Sequence, residues 1–281
     1  MRKILIILVS ALIPVMAGAQ AQINTKKVKI ADFPQKVTKV VLSGNDFFDL
    51  ALQGDVAATW RVSPYEFCTL EEFETLKSDE NYYFLITTKD RFKRESAPGI
   101  QFMSLVKGGA EAEKGIGEML EVVSMPIASA EDPSGREFAF LQAFLDIIQN
   151  HALASIESDA VGYAGLTYHT DNIKDCGDKR IVFAEGDVST QITKDVKNNY
   201  FDKNIHIITE ENADRFISNV VPKTLVSIVI APTGAPTGSY CYKMLVDSET
   251  HRLFYFRRHR ITKKDGAGFL EEDIKKIASH R

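Results

Sequence analysis

The sequence predicts an α/β protein built from two duplicated units, each a mixed sheet with helices packed on it. Three observations predict it. A capped amphipathic segment followed by an apolar run occurs at Cys68–Thr88, CTLEEFETLKSDENYYFLITT, and returns at Ile208–Pro232, ITEENADRFISNVVPKTLVSIVIAP. A β-rich run ending in a glycine turn precedes each copy, at Val37–Leu42 and at Arg180–Ala184. The order β-α-β-α-β-β-β-α can be traced through both halves, with Thr69 and Thr209 140 residues apart.

Val37–Leu42, VTKVVL, is the first strand, ended by Ser43-Gly44-Asn45-Asp46. A helix follows, for which Phe47, Leu50 and Ala51 at helical spacing give the expected buried stripe. Trp60–Phe67 is extended, and Pro64 within it has no amide to donate, which marks an edge strand or a bulge. Thr69-x-x-Glu72 is a capping box opening a helix with Leu70, Phe73 and Leu76 inward. After the Ser78–Asn81 turn, the continuous apolar run Tyr82–Ile86 suits a strand covered on both faces. Strands are expected at Gly99–Val106 and Leu120–Ala128, joined by a loop at Lys107–Gly117. Asp132-Pro133-Ser134-Gly135 then opens a helix with the stripe Phe138, Leu141, Leu145, Ile148 and Ala152.

In the second half, Arg180–Ala184 is followed by Glu185-Gly186-Asp187 and a helix carrying Val188, Ile192, Val196 and Tyr200. Ile205–Ile208 is extended, and Thr209 caps a helix with Ala213, Phe216, Ile217, Val220 and Val221 inward, stopped before Pro222. Strands follow at Leu225–Ala231, Ser239–Asp247 and Arg252–Thr262, then a helix at Phe269–Ala278. The repeat pairs Phe84-Leu85-Ile86 with Ile228-Val229-Ile230. The units are residues 22–155 and 180–281, with 156–179, rich in Gly, Ser, Asp and Asn, as linker.

This order, carried by VVLSGND, TLEEF and YYFLITT and again by RIVFAEGD, TEEN and LVSIVIA, resembles the amino-terminal domain of TolB and related envelope proteins. The chain is also similar to exported proteins of Gram-negative anaerobes. The resemblance implies an envelope location and a scaffold or binding role, and it brings no catalytic residue. The chain departs from that family in having no β-propeller pattern and no cysteine placed for a lipid anchor.

Residues 1–21 read as a secretory signal peptide: Arg2 and Lys3, the apolar run Ile4–Val15, then small-residue cleavage sites at Ala17–Ala19 and Ala19–Ala21. The expected product is periplasmic or extracellular, without a lipid anchor or an integral membrane segment. Losing Arg2 and Lys3 takes the formal charge from −4 to −6, which argues against nucleic acid as a partner. Cys68, Cys176 and Cys241 are too few and too scattered for a disulfide framework; a single bridge and three unpaired thiols both remain open.

Recognisable catalytic patterns are missing from the sequence. There is no Gly-x-Ser-x-Gly elbow, and Lys107-Gly108-Gly109-Ala110 lies between two expected strands, which reads as a hairpin loop and not a phosphate loop. His151, His169, His206, His251, His259 and His280 show no metal-ligand spacing, so no metal or cofactor is expected. Glu71-Glu72, Glu210-Glu211 and Glu271-Glu272-Asp273 fall in first helical turns, where the macrodipole accounts for them. Gly44-Asn45-Asp46 and Gly186-Asp187 are read as glycine turns with Asn or Asp N-caps in preference to anion sites. The one concentrated basic stretch is His251–Lys264, HRLFYFRRHRITKK, whose candidate binding residues are Arg257, Arg258, Arg260 and Tyr255. Strand alternation puts Arg257 and Arg258 on opposite faces, and a charged edge strand explains the stretch without a ligand. The expected function is therefore an exported, non-enzymatic binding or scaffold protein of the envelope, with another envelope protein or an anionic glycan as partner. The alternative is a small-molecule or glycan hydrolase with a carboxylate site in the cleft between the units.

Overall fold

Each half of the chain is organised around one strand too apolar to face water on either side. The computed structural model describes residues 25–89, 99–201 and 204–280, so the expected signal peptide at 1–21 lies outside the described residues. The first half runs α1 (Lys26–Ile30), β1 (Val37–Val41), α2 (Asp46–Thr59), β2 (Tyr65–Cys68), α3 (Leu70–Leu76), β3 (Tyr82–Thr88), β4 (Ile100–Lys107), β5 (Leu120–Ser129) and α4 (Arg136–Glu157). After α5 (Asp159–Ala164) come β6 (Arg180–Ala184), α6 (Lys194–Tyr200), β7 (Ile205–Ile208), α7 (Glu210–Ser218), β8 (Thr224–Ile230), β9 (Tyr240–Asp247), β10 (Leu253–Arg260) and α8 (Glu271–Ala278). The sheets have the orders β2-β1-β3-β4-β5 and β7-β6-β8-β9-β10. In both, β1 or β6 pairs parallel with two neighbours, one of them the central β3 or β8, and the remaining two pairings are antiparallel. The two units are alike, strand for strand.

Local chemistry explains why the pattern holds. The Thr69 side chain accepts from the Glu72 amide at 3.1 Å while Glu72 accepts from the Thr69 amide at 2.8 Å, closing the capping box. Thr209 accepts from the Asn212 amide in the same way. The residues just before these threonines, Cys68 and Ile208, pair with Val41 and Ala184. Counting from those pairs, through Lys39 with Phe84 and Val182 with Val226, Ile86 occupies the place of Ile228. The expected pairing of Phe84 with Ile228 is therefore two residues out of register, a shift that preserves the face. Pro64 sits just before the edge strand β2, where its missing amide costs no ladder bond.

Packing departs from the sequence reading in several places, and Leu70 of α3, Phe138 of α4 and Val220 after α7, expected inward, stand 48%, 43% and 50% exposed. In α2 the buried residues are Phe48, Asp49, Leu52 and Val56, while Phe47 and Leu50 stand 84% and 72% exposed. Residues 156–179, expected as a linker, complete α4 and continue through α5 and a 3₁₀ segment, Gly165–Asp175, that buries Leu166 and Ile173. After β6 the chain makes one 3₁₀ turn at Glu185–Asp187, and its helix starts only at Lys194; Val188 instead bridges to Phe269.

Three cores result. One unites both units: Val40, Leu85 and Met103 of the first sheet, Leu52 of α2, Phe140, Leu141, Phe144, Leu145 and Ile148 of α4, Ala213 and Ile217 of α7, and Val182, Val226, Ile228 and Met244 of the second sheet. A second lies on the other face of the first sheet, under Phe73 of α3. The third lies on the other face of the second sheet, under Val196 of α6 and Ile274 and Ile277 of α8. By chain order α3 corresponds to α7, and α2 and α4 to α6 and α8. The first unit thus meets its neighbour with its α2/α4 face, and the second with the face that carries α7. Unlike faces are joined, so the units stack head to tail.

Candidate functional site

Where β4, β5, the Ala164–Thr167 stretch, β9 and β10 come together, a cleft of about 330 Å³ opens at the junction of the units. Both units contribute to its walls. Register shifts along the β4–β5 pair: Leu105 faces Val123 but Val106 faces Glu121, so Val122 is an extra residue. Such a bulge re-aims the side chains beside it. Glu121 and Ser124 line the cleft from this edge strand. Ser124 is hydrogen-bonded to Ser104 at 2.8 Å, which fixes its rotamer. Burial pushes the Glu121 carboxyl up, against the opposing pull of Lys26 and a hydrogen bond with Ser124. Lys26 is itself anchored by donating to the Gly162 carbonyl at 2.8 Å, and burial lowers its pKa despite Glu121.

The opposite wall is aromatic. Phe102 of the first unit meets Tyr242 of the second edge-on, with centroids 5.8 Å apart, and Tyr242 touches Phe256 at 6.1 Å. Arg258 completes the lining, and its guanidinium lies 4.9 Å from the Tyr240 ring. The cleft therefore offers a carboxyl, the hydroxyls of Ser124, Thr167 and Tyr242, a guanidinium and flat apolar rings. A pocket of roughly 300–1,000 Å³ with few convergent polar groups is the usual form of a small-molecule site.

The structure divides the four residues singled out in the basic stretch. Arg258 lines the cleft, and Arg260 shares the Tyr240 ring with it at 5.6 Å. Arg257 and Tyr255 lie on the other face, because consecutive strand residues alternate. There Tyr255 is fully buried and donates to Asp273 at 2.6 Å, while Arg257 pairs with Asp273 and Glu272. Their work is to hold α8 on its sheet. Glu121 escaped sequence reading because only the bulge and the approach of the second unit give it a role; neither has a sequence signature.

Polar groups elsewhere join the units. Arg136 donates to Asp187 at 2.9 Å, to Asp214 at 2.8 Å and to the Ser227 carbonyl at 3.2 Å. Burial works against the Arg136 charge, but Asp187 and Asp214 outweigh it and raise its pKa. Asp187, expected as an N-cap, instead also accepts from Ser227 and from the Val229 amide at 3.1 Å. Asn45, by contrast, does cap α2. Asp146 of α4 holds His251 at 2.8 Å and Arg61 at 2.7 Å. Burial pushes the Asp146 carboxyl up, but hydrogen bonds from His251 and Arg61 prevail and lower it. All three cysteines are buried and unbridged, and burial pushes the Cys68 and Cys241 thiols up to about 11. Among the described residues, no group of three His, Cys, Asp or Glu side chains is placed to hold a metal ion, and no helix is long and apolar enough to cross a membrane.

No protein-family model, curated protein or solved structure matches the chain.

Proposed function

We propose that the protein is an exported, non-enzymatic binding protein of the cell envelope, and that its inter-unit cleft receives an acidic sugar unit of a glycan. The observation that carries this reading is the presence of Glu121 and Arg258 in the lining of one aromatic-walled cleft. A hexuronate presents a carboxylate for a guanidinium, hydroxyls for Glu121, Ser124 and Thr167, and an apolar ring face for Phe102 or Tyr242. The guanidinium fork suits a carboxylate. The Glu121 carboxyl, whose pKa burial raises, can accept from sugar hydroxyls. Export and an envelope setting rest on the signal-peptide reading of residues 1–21 and on the TolB-like order of elements. The common layout of the two units supports their origin by duplication.

Binding is favoured over hydrolysis because glycoside hydrolysis takes two carboxyl groups flanking the scissile bond. Among the described residues that line the cleft, Glu121 is the one carboxyl group. Isothermal titration with glucuronate, glucose and the methyl ester of glucuronate tests the proposal. Saturable binding of glucuronate is expected, with weaker binding of the two neutral sugars and loss of the preference in Arg258→Ala. Arg258 is exposed, so this variant should fold normally. Equal affinity of Arg258→Ala and wild type for glucuronate overturns the reading. Release of reducing ends from an acidic glycan, abolished in Glu121→Gln, supports the hydrolase instead.

A further inference from the structure

Strand β10 is the edge of the second sheet, and its pairing with β9 repeats one motif at its outer end. Arg258 stands opposite Tyr242, and Arg260 opposite Tyr240. Residues two apart along a strand point to the same face, so these arginine–tyrosine rungs lie side by side, about 7 Å apart. The next rung inward, Phe256 opposite Met244, is apolar and buried. There the edge is also covered: Asn172 donates to the Leu253 carbonyl at 2.8 Å and Thr170 to the Phe256 carbonyl. Outward, β10 ends at Arg260. The motif is therefore two rungs long.

Tyr240 ties the rungs together. The Arg258 guanidinium lies 4.9 Å from its ring and that of Arg260 5.6 Å. The ring attracts both cations and holds them close although their like charges repel. An acidic ligand lying along both relieves that repulsion. Arg257, on the other face, is bound instead by Glu272 at 3.0 Å and Asp273 at 3.2 Å. Among the described residues no carboxylate is paired with Arg260, which is exposed. Arg258 lines the junction cleft, and Arg260 lines the next opening, of about 530 Å³. That second opening is mixed in charge, because Asp265, Glu271 and Glu272 line it with Arg260, Lys264 and Lys275. An acidic chain leaving the cleft thus meets cations at Arg258 and Arg260 and carboxylates soon after.

We propose that Arg260 and Tyr240 form a second subsite beside the cleft, for an acidic oligosaccharide with carboxylates on two consecutive units. This deepens the hexuronate reading of the cleft and rests on it. One unit enters the cleft with its carboxylate on Arg258. The next leaves along β10 and presents its carboxylate to Arg260, beside Tyr240.

Isothermal titration of the mature chain with galacturonate and its α-1,4-linked dimer and trimer tests the proposal. Affinity should rise about tenfold or more from monomer to dimer, the worth of one further charged hydrogen-bonding contact. It should rise little from dimer to trimer. Arg260→Ala should bring the dimer close to the affinity of the monomer, and Arg260→Lys, which keeps the charge but loses the fork, should restore part of the difference. Arg258→Ala should weaken monomer and dimer alike. Succinate, two carboxylates without a sugar ring, should not compete with the dimer. The thermal transition of each variant checks its fold. A monomer that binds with no gain for the dimer overturns the second subsite and leaves the cleft reading standing. So does a dimer-to-monomer ratio that Arg260→Ala leaves intact. Competition by succinate at the concentration of the dimer overturns the oligosaccharide as ligand. Failure of monomer and dimer alike to bind removes the cleft reading, and the second subsite with it.

Discussion

Lys243 has no exposed surface, yet it carries a charge that must be compensated where it stands. Its partner is the equally buried Asp273, which also accepts from Tyr255 at 2.6 Å and from the Leu270 amide at 2.8 Å. Burial pushes the Asp273 carboxyl up, but Lys243 and these donors prevail and lower it. Removing one member strands the other, so Asp273→Asn should cost about 3–5 kcal/mol, whereas the double change Lys243→Met with Asp273→Leu should recover much of that loss. Urea midpoints at pH 7 check both. Because the folded pKa is depressed, the gap between wild type and Asp273→Asn is full above the ordinary carboxylate pKa of about 3.9 and closes as pH falls through the folded value. His151 also makes stability fall with pH, but through a neutral buried form. Burial, then His169 at 3.0 Å, pulls its pKa down to about 3, and its Nε2 has no hydrogen-bond partner. Below about pH 6.5 the unfolded chain takes up a proton that the folded chain refuses, so stability falls by roughly 1.4 kcal/mol per pH unit from this residue. Denaturant midpoints between pH 7 and 4 should drop less steeply for His151→Gln; an equal slope would refute the assignment.

At the scale of elements, α2 shows what periodicity can and cannot decide. Its helical character, its Asn45 cap and its limits follow from the residues, but the choice between two apolar stripes does not. Phe47 with Leu50 and Phe48 with Leu52 both satisfy helical spacing, and only the position of the sheet and α4 selects the second. Leu52→Ala should therefore cost about 2–5 kcal/mol through the cavity left behind. Leu50→Ala, on the exposed stripe, should stay within about 0.5 kcal/mol. Thermal or urea unfolding of the pair separates these outcomes, and similar losses at both sites would contradict the assignment of faces. In α4 the sequence held more information than one stripe used. Phe140, Phe144 and Ile147 lie off the stripe of Leu141, Leu145 and Ile148, and all six are buried. A helix apolar around its circumference is covered on more than one side, so the central position of α4 was legible in its composition. The strands were read well because Tyr83–Ile86 is apolar without interruption and Leu225–Ile230 is broken only by Ser227, and such runs have few other homes. The cleft was not legible: Glu121 and Arg258 are 137 residues apart, and a bulge and an inter-unit contact bring them together.

The whole molecule is governed by the joining of unlike faces. Right-handed crossovers put successive helices on opposite sides of each sheet, so every unit has one face bearing two helices and another bearing one. Stacking the two-helix face of the first unit on the one-helix face of the second could in principle continue, as heterologous contacts do. Charge at both ends opposes it. Glu71, Glu72 and Glu74 of α3 are exposed at one end, and Glu271, Glu272 and Lys275 of α8 at the other, like the polar caps that end a repeat array. Between the ends, α4 belongs by sequence to the first unit but lies in a core shared with the second sheet, and its Arg136 and Asp146 reach Asp187, Asp214 and His251. Neither half can bury its shared face alone. Residues 22–157 and 158–281 produced as separate chains should each lack a cooperative unfolding transition and expose apolar surface to a reporter dye. Mixed, they should regain one transition, provided that the two chains associate tightly enough at the concentration used. In the intact protein, Arg136→Met leaves Asp187 and Asp214 without their buried counter-charge, a loss of about 3–5 kcal/mol. Both sheets should then melt together at a lower temperature, since the clasp lies in the core they share. Separate transitions for the two units, or a half that melts alone at the midpoint of the whole, would show that the units fold independently and that the shared core is an ordinary domain contact.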